Sequence, residues 1–90
     1  MNLTEEQLKE LSELASLFIS KEDIRIALEI PLHNEVEFLE ILDDEKDNPI
    51  FMAYHSGRLK TEIELRVAIK KAALNGSNPA QTTMNNFRTA

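Results

Sequence analysis

The sequence predicts an all-α protein of about five helices, and three observations predict it. Apolar residues recur every three or four positions along most of the chain, the spacing that keeps one face of a helix dry. Helix start signals stand before each such run: Thr4 with Gln7, Ser20 with Asp23, Asn34 with Glu37, Asn48-Pro49 and Asn78-Pro79. The longest run, residues 48–76, is signed at both ends, because Asn75-Gly76 offers the left-handed residue on which a helix stops.

In chain order, Thr4 and Gln7 form a capping-box pattern, and Leu8, Leu11, Ala15 and Phe18 follow at helical spacing. A first helix of about four turns is expected, with Leu14 and Leu17 widening its apolar stripe. Ser20 ends it and caps a second helix of roughly two to three turns, whose Ile24, Ala27 and Leu28 face inward until Ile30-Pro31 breaks it. Asn34, with Glu37 in the capping-box position, opens a third helix. Val36, Phe38, Leu39, Ile41 and Leu42 give that helix its apolar side, and the acidic run Asp43 to Asp47 closes it.

The central helix carries two stripes. Met52, Leu59, Ile63, Val67 and Leu74 share one side, and Phe51, Tyr54, Leu65, Ile69 and Ala72 fall roughly opposite. A helix greasy on two sides is expected to be covered on both, by the rest of the chain or by a second copy. Phe51, Tyr54, Gly57, Leu59, Ile63, Leu65, Val67, Ile69 and Leu74 are therefore the predicted packing or oligomerisation residues. Gly57 costs a helix interior about 0.5–1 kcal/mol relative to alanine, so it points to a close helix crossing. Ala80, Met84 and Phe87 then predict a short fifth helix folded back on the central one as an αα-hairpin. The expected organisation is an acidic three-helix unit, 1–47, and a packing unit, 48–90, within one compact domain.

Composition narrows the function. The chain has 90 residues, no cysteine and two histidines, so no disulfide, thiolate nucleophile or His-rich zinc set is expected. Its two glycines make no phosphate-cradling loop, and the carboxylates of Asp43 to Asp47 lack the spacing of a calcium loop. No run is long and apolar enough for a membrane span, and the acidic start is unlike a signal peptide. A non-enzymatic, cytoplasmic protein without cofactor or metal is the expectation. The net charge of −6 divides unevenly: residues 1–47 hold fourteen acids and four bases, the remainder two acids and six bases. Halves of opposite sign suit contact between neighbouring subunits or a basic nucleic-acid surface.

Residues 20–42, S-K-E-D-I-R-I-A-L-E-I-P-L-H-N-E-V-E-F-L-E-I-L, have the register of a helix-turn-helix. Glu29 stands where such turns prefer glycine, and Arg25 where a small residue lets the helices approach. Residues 33–45 carry six acids and no Lys or Arg, which would set carboxylates against phosphates in a major groove. Further on, Ala53-Tyr54-x-x-Gly57, Leu65-Arg66-x-x-Ile69, Ala73, Gly76 and Ala80 form a pattern similar to that of phage and prophage small terminase subunits and allied homeodomain-like helix-turn-helix proteins. The resemblance implies an oligomeric, non-enzymatic part that recognises double-stranded DNA and delivers phage genomes to a large terminase subunit, an ATPase and nuclease. It also implies that Tyr54, Gly57, Leu65, Arg66, Ala73 and Gly76 are structural and contact no base.

On that reading the candidate DNA contacts are Lys21, Arg25, His33, Asn34, Arg58, Lys60, Lys70, Lys71 and Arg88, positioning the protein on phosphates rather than reading bases. Two other readings stand beside it. One is a small acidic helical adaptor that docks a basic protein, and the other is an acidic DNA mimic that occupies a nucleic-acid-binding partner.

Overall fold

The computed structural model describes residues 1–74, which form an all-α fold of four helices and one short 3-10 turn. The helices are α1 (Glu5–Ser16), α2 (Lys21–Ala27), α3 (Glu35–Asp44) and α4 (Pro49–Leu74), and the 3-10 turn Leu32–Asn34 leads into α3. The expected fifth helix around Ala80, Met84 and Phe87, and the Asn75-Gly76 stop, lie outside the described residues. By backbone contacts the chain divides into two compact units, residues 1–60 and a second beginning at Thr61. The first twelve residues of α4, a little over three turns, thus belong to the unit that holds α1, α2 and α3.

Three of the predicted start signals form as read. Thr4 Oγ1 accepts from Gln7 N at 3.1 Å while Thr4 N donates to Gln7 Oε1 at 2.9 Å, the reciprocal capping box. Ser20 Oγ accepts from Asp23 N at 3.2 Å, and Asn48 Oδ1 from Ile50 N at 2.9 Å. The fourth is corrected: Asn34 makes no side-chain cap, because α3 is entered through the 3-10 turn and Asn34 (φ −100°, ψ 0°) lacks the extended backbone that Thr4 and Ser20 have as caps. Glu37, freed from the capping box, accepts a hydrogen bond from the Met1 amine at 3.0 Å.

The first helix is shorter than its spacing predicts. It ends at Ser16 because Phe18 takes a left-handed conformation (φ 57°), its N–H donating to Ala15 O while Ile19 N donates to Leu14 O. Leu17 and Phe18 are consequently turned out to solvent instead of joining the core. The same motif ends α2: Glu29 is left-handed (φ 58°), Glu29 N donates to Ile26 O and Ile30 N to Arg25 O. Glycine is the residue such turns prefer, and a side chain held there costs roughly 1–2 kcal/mol. Glu29 is exposed, so Glu29→Gly is expected to stabilise the protein by about 1 kcal/mol, net of the added freedom of the unfolded chain. A urea melt checks this, and a midpoint that falls would contradict it.

The core of the first unit gathers Leu11 and Ala15 from α1, Ile24 from α2, Leu28 and Ile30 from the connector, Phe38, Ile41 and Leu42 from α3, and Ile50 and Tyr54 from α4. Ala27 and Val36, expected inside, are exposed. They sit at the edges of stripes whose central residues take the available cover. Gly57 is buried where α4 crosses α1, and a Cβ there would lie 2.2 Å from the Ser12 carbonyl oxygen. Close packing, not a bend, is the reason for this glycine.

Candidate functional site

The basic residues singled out from the sequence have very different surroundings. Lys21, at the start of α2, donates to Asp43 at the end of α3 and lies 5.8 Å from the Tyr54 ring centroid. The hydrogen bond to Asp43 is the main reason that its pKa is raised above the ordinary lysine value. Arg25 is largely enclosed. One guanidinium nitrogen donates to Ile30 O at 3.0 Å and Nε stands 3.3 Å from a Glu35 oxygen, so the side chain braces the connector between α2 and α3. Both cations serve the fold, and a phosphate would have to displace a carboxylate from each.

Arg58 is half-buried on α4, with its guanidinium 4.9 Å from the Phe18 ring centroid and 5.7 Å from that of Tyr54. It covers the left-handed Phe18, which explains how an exposed aromatic is held at that turn. Lys60, Lys70 and Lys71 are exposed on α4. His33 is exposed in the 3-10 turn, and Asn34 is half-buried at its end. The bond from the Met1 amine, more than its charge, holds the Glu37 carboxyl below the usual carboxylate range. Arg88 lies outside the described residues.

Of the predicted packing residues, Tyr54 and Gly57 are buried and Phe51 and Ile69 half-buried, while Leu59, Ile63, Leu65, Val67 and Leu74 are exposed. The outward face of α3 is equally plain. His33, Val36, Glu37, Glu40, Asp43 and Asp44 are all exposed along it, with no Lys or Arg among them.

His55 is a contact that the sequence did not disclose. Its Nε2 donates to Leu42 O at 2.8 Å, and its ring stacks on Phe51 with centroids 4.0 Å apart. This satisfies one of the carbonyls that the end of α3 leaves without a helical partner. No signal within either segment could have found it, since the two residues are joined only by the packing of α3 on α4.

Among the described residues, no group of three His, Cys, Asp or Glu side chains is placed to hold a metal ion, and no helix is long and apolar enough to cross a membrane. Comparison with protein-family models, curated proteins and solved structures finds no match.

Proposed function

We propose that this chain is a non-enzymatic assembly subunit of the phage small terminase kind, which self-associates through α4, meets duplex DNA at its phosphates and serves a large packaging subunit. One observation carries the reading: Leu59, Ile63, Leu65, Val67 and Leu74 are each more than half exposed along one unbroken helix. Five large apolar side chains left wet on a single element mark an interaction surface. The helix pair α2 and α3, joined through a short connector, supports the helix-turn-helix part of the reading.

The acidic outward face of α3 cannot lie in a major groove without setting carboxylates beside phosphates. Phosphate contacts are therefore drawn from the bases of α4, Arg58 and Lys60 first, with Lys70 and Lys71 contributing where no neighbouring copy covers them. Each copy offers few of them, and assembly multiplies their effect on one duplex.

The test is retention of duplex DNA at rising salt, together with the mass in solution. The expected result is an oligomer whose DNA affinity falls steeply as salt rises. Lys60→Ala should weaken binding on every sequence alike and flatten the salt slope by about one unit. A protein that ignores DNA at low salt removes the DNA part of the reading. The acidic face of α3 favours a second reading, an adaptor for a basic protein, which predicts competition with DNA for that partner instead of binding to DNA.

A further inference from the structure

The two unpartnered helix faces have matching patterns. Along the outward side of the 3-10 turn and α3, Leu32 and Val36 come first, 72% and 69% exposed, and Glu40, Asp43 and Asp44 follow. Along one side of α4, Leu59, Ile63 and Val67 come first, again exposed, and Lys70 and Lys71 follow. A constant offset sets Leu32 against Leu59, Val36 against Ile63, Asp43 against Lys70 and Asp44 against Lys71, with Glu40 against Val67 as the one mismatch. Both faces extend about 20 Å at the helical rise per residue. Glu40 and Asp44 make no ion pair among the described residues, whereas Asp43 is held by Lys21.

We infer that in the assembled protein the outward face of α3 on one copy packs in parallel against the α4 face of a second copy, Leu32 and Val36 meeting Leu59 and Ile63, and Asp43 and Asp44 meeting Lys70 and Lys71. This rests on the assembly reading above and specifies its contact. Each copy carries both faces, so the α3 face of either copy is complementary to the α4 face of the other. An antiparallel arrangement over the same span would set Leu32 on Lys71, Glu40 on Ile63 and Asp44 on Leu59, keeping one apolar pair, Val36 with Val67, and one ion pair, Asp43 with Lys60. The parallel one also assigns Lys70 and Lys71 to the neighbouring copy, leaving Arg58 and Lys60 for DNA.

The test uses the full chain and two double variants, Glu40→Lys with Asp44→Lys, and Lys70→Glu with Lys71→Glu, with helix content checked by circular dichroism. All four positions are exposed, so both variants are expected to keep native helicity. By analytical ultracentrifugation the unaltered protein should associate, more weakly as salt rises. Each variant alone should associate on the order of tenfold more weakly or worse, and an equimolar mixture should recover association, because each then supplies the face that the other has inverted. An oligomer that persists in both variants, or a mixture that stays dissociated, overturns this pairing of faces and leaves the assembly reading standing. A monomeric unaltered protein overturns both.

Discussion

Replacing Gly57 by alanine is expected to destabilise the protein by about 3 kcal/mol, although alanine is the better helix former. In an open helix the same change would stabilise by about 1 kcal/mol. Here the new methyl would stand 2.2 Å from the Ser12 carbonyl oxygen, 3.0 Å from its carbon and 3.1 Å from its Cα, all backbone atoms of α1. Backbone cannot rotate away as a side-chain tip can, so α1 and α4 must separate by about an ångström and loosen the contacts of Leu11, Ala15 and Tyr54 around the crossing. Thermal unfolding should record a fall of at least 10 °C, on the order expected for a domain this small. Ser56→Ala, one position away on the exposed side of the same helix, should leave the midpoint unchanged or slightly higher. If both variants behaved alike, the close crossing would be disproved.

Phe38→Ala should cost about 4 kcal/mol, the other large effect. Phe38 is the largest of the fully buried side chains, in the core where α3 meets residues from α1, α2 and α4. Truncation removes its transfer free energy and leaves a cavity that four helices joined by short connections cannot close. The contrast is Val36→Ala two residues earlier, expected to change stability by less than about 0.5 kcal/mol because Val36 is exposed. Urea unfolding of the pair measures this directly. The same contrast keeps Val36 available as a probe of association, since a variant that folds normally and associates poorly must have lost a contact made between copies.

What could be read along the chain was what neighbouring residues decide among themselves. The all-α class, the starts of α1, α2 and α4, and the close approach at Gly57 follow from capping atoms, fixed proline geometry and apolar spacing within a few turns. Periodicity also located the stripes, but not how much of each would find cover. Phe18 fits the stripe of α1 and yet lies beyond its end, because the left-handed turn at that residue is set by the need to bring α2 onto the core.

The charged residues show the same division. Lys21 and Arg25 looked like available cations, and the packing of α2 on α3 gave both of them carboxylates. Arg58 found two aromatic rings from separate helices or turns, and His55 a carbonyl at the far end of α3. The sequence by itself determined the helices and the sign of charge each presents. Tertiary structure alone decided which leucines are dry, which cations are engaged and which faces remain to be covered, because burial and ion pairing depend on distances between segments that no local pattern encodes.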